Sequence, residues 1–184
     1  MLIKTAWSGK SIYKDFRPPS AGGGTGEYYQ KMLAEVDEAL INYQEEFASL
    51  KGMQPKWGGF IWFQGWNDMF DEEARTQYED NLVCLIQDIR KHLKQPHLPV
   101  VVGELGNMGE DAGANMQMIR DAQRKACQRK EWKGRVSFVK TTEFARPKEE
   151  SPNVGHGHHW FGNAESYFLI GDALGKEMVR LLQR

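Results

Sequence analysis

The sequence predicts an α/β protein, a three-layer doubly wound parallel sheet with helices on both faces. Three observations carry this expectation. Short apolar runs alternate along the chain with longer stretches in which apolar residues recur every three or four positions. The strand-like runs "LIKTAW", "GGFIWF", "LPVVVG" and "RVSFVK" are mostly apolar rather than strictly alternating, as strands covered on both faces are. The segments that leave these strands hold most of the glycines and three of the five histidines, so chemistry collects along one edge of the sheet.

In chain order, "LIKTAW" is the expected first strand, and it runs into "SGKS". A phosphate loop would need a glycine five residues before the Gly-Lys pair, and Lys4 stands there. The "AGGGTG" tract follows "RPPS" rather than a strand and reads as a surface turn. A first helix follows from the spacing of Tyr29, Leu33, Val36, Leu40, Tyr43 and Phe47. The strand "GGFIWF" then delivers "QGWNDMFDEE" to the rim, and a second helix carries Ala74, Tyr78, Leu82, Leu85, Ile89 and Leu93. The strand "LPVVVG" ends in "ELGNMGEDAG", and a third helix fits "ANMQMIRDAQRKACQRK". The strand "RVSFVK" ends in the long "TTEFARPKEESPNVGHGHHW", after which a fourth helix begins near Asn163 and carries Tyr167, Ile170, Leu174, Met178 and Leu181.

With 184 residues and 40% hydrophobic content, one domain over 1–184 is expected. Lys and Arg number 24 against 25 Asp and Glu, which leaves no broad basic field for nucleic acid. No apolar run reaches the roughly 18 residues of a membrane helix. Cys84 and Cys127 read as buried thiols and fix no compartment, and neither localisation nor oligomeric state is marked in the sequence.

Two rim segments can carry chemistry. In "GGFIWFQGWNDM" the amide of Asn67 can donate to an oxyanion, or the Asn67-Asp68 pair can cap the next helix. In "GHGHHW" a loop histidine can act as general base near neutral pH. Alternatively His156, His158 and His159 with Asp68 offer zinc ligands, although adjacent histidines diverge and no second ligand pair is present. Trp7, Trp66 and Trp160 suit the flat faces of sugar rings or the core.

Taken in order, "LIKTAWSGKS", "FRPPSAGG", "GGFIWFQGWNDM", "VVVGELG" and "GHHWFGNAESYFLIGDALGKEM" resemble the sialate O-acetylesterase-type domain of the SGNH hydrolases over nearly the whole chain. The resemblance implies a serine-type esterase that removes acetyl groups from O-acetylated carbohydrates, with no cofactor or metal. It implies Gly9 as a backbone oxyanion donor, Asn67 as the side-chain donor, Gly65 as the tight turn and His159 as the base. Gln64, Trp66 and Trp160 are the expected substrate contacts. Two positions depart from the family pattern: His156 stands where an aspartate is usual, and Trp66 where some members have a glutamate. Asp68, Glu104 and Glu143 are the rim candidates for a triad acid, and a Ser–His dyad is the alternative. The family's nucleophile block, a Gly-Gln-Ser-Asn-like segment, has no counterpart here, and Ser8 and Ser11 are the nearest serines. The expectation is therefore an N-terminally truncated, C-terminal part of the domain with exposed apolar surface. The competing classes are a non-catalytic carbohydrate-binding protein and a metallohydrolase.

Overall fold

The computed structural model describes all residues, Met1–Arg184. Four helices form: α1 (Glu27–Glu46), α2 (Glu72–His92), α3 (Ala114–Cys127) and α4 (Ala164–Leu182). Three strands form: β1 (Phe60–Trp62), β2 (Val100–Gly103) and β3 (Val136–Val139). The strands pair in parallel in the order β1-β2-β3, with Phe60 opposite Val100 and Val100 opposite Val136. Helix α2 starts where the Asp71 carboxylate accepts from the Ala74 N–H at 2.8 Å, and α4 where the Asn163 side chain accepts from Ser166 at 3.1 Å.

Side chains alternate across the strands and sort the core into two unequal parts. Trp62, Val100, Val102 and Val136 turn to one face, where they join α1, α2 and α3 in a cluster of 23 buried residues. Val101 turns to the other face and meets Trp160, Ile170, Leu174 and Leu181, a cluster of five centred on α4. The helix stripes predicted from spacing hold best in α2, where Tyr78, Leu82 and Leu85 are fully buried. Along α1 only Tyr29, Met32 and Tyr43 are buried, and Phe47 is exposed.

The first expected strand does not form. Residues 2–7 belong to no ladder, and only Ile3, Thr5 and Trp7 are even half-buried. A β-favourable sequence needs a neighbour for its N–H and C=O groups, and none pairs with this stretch. Strand β1 pairs with β2 alone, so its other edge is open, and Ile61 and Phe63 on the α4 side of the sheet are exposed.

Candidate active site

The three strands deliver their carboxyl ends to one edge, and a cleft of about 610 Å3 lies along it. Its lining comes from the turn at Ala6–Lys10, from Phe63–Asn67 after β1, from Leu105 and Asn107 after β2, and from His158–Trp160 with Tyr167. Gly9, Asn67 and His159 thus share one cleft. Helix α2 has its cap from Asp71, which leaves the Asn67 side chain free of the capping role. A second hollow of about 390 Å3, at the far end of α2 among Arg90, Lys91, Lys94 and Trp132, gathers no acid–base pair.

On the donor side, Gly9 has a φ of +70°, a left-handed conformation that glycine adopts at no steric cost. A Cβ there would stand 3.8 Å from Asn67 Nδ2. Neither the Gly9 N–H nor Asn67 Nδ2 donates to any group of the protein, so two free donors sit side by side on the cleft wall. Such a pair can serve a single developing oxyanion. Gly65 is needed for close packing: a Cβ there would meet Ile119 Cγ2 at 2.9 Å.

The loops under the cleft are tied by buried polar side chains. Asp68, fully buried, accepts from the backbone N–H groups of Ile12 and Tyr13, each at 3.0 Å, and from Gln64 Nε2 at 2.7 Å. Burial pushes its carboxyl up to about 6, against the pull of the Gln64 amide and the two N–H donors. Gln123, also fully buried, joins the ends of β1 and β2 by donating to Gln64 O at 2.9 Å and accepting from Leu105 N–H at 2.8 Å. Arg120 donates to the carbonyls of Leu105, Asn107 and Gly109 and so shapes the loop after β2. From that loop Asn107 Nδ2 donates to the carbonyls of Gly157 at 3.2 Å and His158 at 3.1 Å.

The histidine wall is a series of tight turns over Gly157–Gly162, in which Trp160 and Phe161 adopt φ of 52° and 53°. His158 and His159 line the cleft, with ring centroids 4.4 Å apart, and the His158 ring lies 5.7 Å from that of Trp66. Desolvation at the cleft wall, then the neighbouring His159 and His156, lower the proton affinity of the exposed His158. His159 is exposed, and its carbonyl accepts from the Tyr167 hydroxyl at 3.0 Å.

Several expectations change at this level. None of the candidate acids bonds to a histidine of the cleft, because the one histidine–carboxylate pair in the protein joins His92 to Asp37 at 3.1 Å. Asp68 is committed to the turn. Glu104 is buried and its Oε2 accepts from the N–H groups of Thr141 and Thr142 and from the Thr142 hydroxyl, which fixes the exit from β3. Glu143 is exposed and its carboxylate bonds to nothing. For the zinc reading, the His156, His158 and His159 rings lie 4.4 to 6.2 Å apart without forming a ligand set, and Asp68 is turned instead to the N–H groups of Ile12 and Tyr13. Of the expected substrate contacts, Trp66 is half-exposed on the rim. Gln64 lines the cleft, but its amide donates to Lys10 O and Asp68. Trp160 is 4% exposed and packs in the α4 core, so only an edge reaches the cleft. The ties through Asn107, Arg120 and Gln123 are not foreshadowed by any motif in the sequence.

With this geometry in view, comparison with known proteins is informative. The sequence profile of the family described as carbohydrate esterase, sialic acid-specific acetylesterase, matches residues 1–180. The chain belongs to this family. A curated relative, "Probable carbohydrate esterase At4g34215" of Arabidopsis thaliana, is 26% identical over 105 residues, which is 57% of this chain and 38% of that protein. The X-ray structure of the Arabidopsis thaliana AT4G34215 protein superposes with a TM-score of 0.63 at 19% identity, covering 94% of this chain and 57% of that one. The chain thus spans 38% of the length of its curated relative, and the structural likeness speaks for the α/β fold.

Proposed function

We propose that the cleft belongs to a serine-type carbohydrate acetylesterase in which Gly9 N–H and Asn67 Nδ2 hold the oxyanion and His159 is the general base. The observation that carries the proposal is the pair of free donors, side by side, in the same cleft as an exposed histidine. In this reading a serine oxygen attacks the acetyl carbonyl and His159 takes its proton. The carbonyl oxygen gains charge against the two donors, the sugar hydroxyl leaves with the proton, and water then releases acetate. The half-exposed Trp66 and Trp7 offer ring faces to a sugar. Ser8 adjoins Gly9 on the donor side, so the attacking serine is assigned to the part of the relatives' length that the chain does not span.

Acetate release from O-acetylated sialic acid and from acetylated xylan tests the proposal in a form of the protein that includes that serine. His159→Ala loses roughly 100- to 10,000-fold in turnover, as removal of a general base does. Asn67→Ala loses about 100- to 1,000-fold in kcat with little change in KM, because its hydrogen bond strengthens only as charge develops. His156→Ala and His158→Ala keep most of the activity. A His159→Ala protein of near-normal rate overturns the assignment. A second reading, carbohydrate binding without catalysis, draws on one observation: the serine lining the cleft is Ser8 alone. Sugar binding by the 184-residue chain, with no serine labelled by a fluorophosphonate in the longer form, would favour it.

A further inference from the structure

Two buried carboxylates, Asp68 and Glu104, have no cation paired with them, and Asp68 is the one next to the cleft donors. It is fully buried, its three partners are two backbone N–H groups and one amide, and no Lys, Arg or His nitrogen forms an ion pair with it. An unpaired buried carboxylate is costly, and a neutral side chain could satisfy part of the same turn at less expense. Its location suggests what the charge accomplishes. Asp68 follows Asn67 directly, so one loop both carries the side-chain donor and grips the turn that carries the backbone donor. The grip closes around Gly9 from its C-terminal side: Gln64 Nε2, itself bonded to Asp68, donates to the carbonyl of Lys10 at 2.9 Å, and Ile12 and Tyr13 donate to the carboxylate.

We propose that Asp68 is a positioning residue that sets the Gly9 N–H beside the Asn67 amide, so that two donors on separate segments act on one oxygen. The inference rests on Gly9 and Asn67 being the oxyanion donors, and it adds what fixes their separation. A carboxylate accepts from all three partners at once. A protonated carboxyl presents one O–H donor of its own and leaves at least one of the three N–H groups poorly paired, so the turn shifts when Asp68 takes up a proton. Since burial places that event near pH 6, the donor pair is expected to loosen just below neutrality. Four charged or titratable groups surround it. Asp15 of the same turn accepts from Ser11 N–H and Oγ, and Lys10 pairs with Asp15 at 3.4 Å. From α2, the Tyr78 hydroxyl donates to Gln64 O at 2.7 Å and Arg75 donates to Met69 O at 2.7 Å. Of these, Asp15 adds a further upward push on Asp68.

The test is an amide titration by NMR between about pH 4.5 and 8 on the 184-residue chain, with no turnover required. In the wild type, the backbone resonances of Gly9, Ile12 and Tyr13 and the side-chain amide of Asn67 should shift together with one midpoint near 6, shared with the Asp68 carboxyl. In Asp68→Asn that shared titration should vanish, and the proton–proton contact between Gly9 and the Asn67 amide should weaken at every pH. Titration of Ile12 and Tyr13 with Gly9 and Asn67 unmoved would overturn the proposal, because Asp68 would then merely staple the turn. So would an unchanged Gly9–Asn67 contact in the variant. Should Asp68→Asn fail to fold, the same titration in a His158→Ala/His159→Ala variant decides, because it removes the imidazoles that share the cleft with Gly9 and Asn67. Absence of esterase activity would count against the functional reading and leave this geometric result standing.

Discussion

The two walls of the cleft are built by opposite means. The donor wall is held from beneath by fully buried polar side chains: Asp68 grips the turn at Ile12 and Tyr13, and Gln123 bridges the ends of β1 and β2. The histidine wall has a single buried polar tie, from the Asn107 amide. Side chains of His156, His158 and His159 make no hydrogen bonds, and the segment is held at its backbone carbonyls by Asn107 and Tyr167. Two aromatic residues there, Trp160 and Phe161, sit in left-handed backbone conformations, each costing roughly 1–2 kcal/mol. Such strain persists where surrounding packing over-determines it, and Trp160 is locked into the α4 core. The difference teaches that the wall carrying Gly9 and Asn67 is anchored by a buried carboxylate and an amide, whereas the histidine loop depends on packing around Trp160 and a single amide; under the proposed reading this fixes the donors before charge develops.

The largest expected effect comes from undercutting the donor wall. Gln123→Leu keeps the volume but leaves the Leu105 N–H without an acceptor and removes a donor from Gln64 O, for a loss of about 3 to 4 kcal/mol in urea unfolding at pH 7. A loss under about 1 kcal/mol would show that the two loops are held by other contacts.

Next in size is the pH dependence carried by Asp68, whose folded value of about 6 lies above the ordinary 3.8. Between these values the folded protein binds the proton and the unfolded chain does not, so the contribution of this group is greatest below pH 4 and falls as pH rises through 6. The whole change is about 3 kcal/mol, because each pH unit separating the folded from the unfolded titration is worth about 1.36 kcal/mol. Asp68→Asn removes the slope, so the variant should gain on the wild type by about that amount between roughly pH 4 and 7 in paired urea titrations. A constant difference across that range would mean that Asp68 does not titrate there.

The smallest effect belongs to the other wall. Asn107→Ala removes two hydrogen bonds to carbonyls of the histidine loop, for a loss of about 2 kcal/mol, felt locally. Hydrogen exchange should quicken at His158–Trp160 and stay unchanged at Ile12 and Tyr13. Equal acceleration on both sides would erase the distinction between the walls.

Much of this architecture is legible in the sequence. The α2 stripe of Tyr78, Leu82 and Leu85 follows from spacing alone, and the alternation of apolar runs with helices is enough to put Asn67 and the histidines on one rim. What sequence does not convey is where polar side chains turn. Asp68 and Glu104 look like free rim carboxylates, yet both point inward to N–H groups that no pattern announces. Gln123 and Arg120 lie on the buried side of α3 in a stretch that reads as polar surface. Residues 2–7 have strand composition and no strand, because a ladder is a property of two segments.

The polar ties have a consequence for the order in which the molecule assembles. The bond from Ile12 to Asp68 spans 56 residues, that from Gln123 to Gln64 spans 59, and that from Asn107 to Gly157 spans 50. Contacts this distant along the chain form only after loop closure has been achieved by other means, here the parallel pairing of β1 with β2 and β3. Helices α2 and α3 can gain structure early from local contacts, but the cleft exists only once both parallel crossovers, through α2 and α3, have closed. It is therefore among the last features to mature during refolding and among the first to be lost when the sheet loosens.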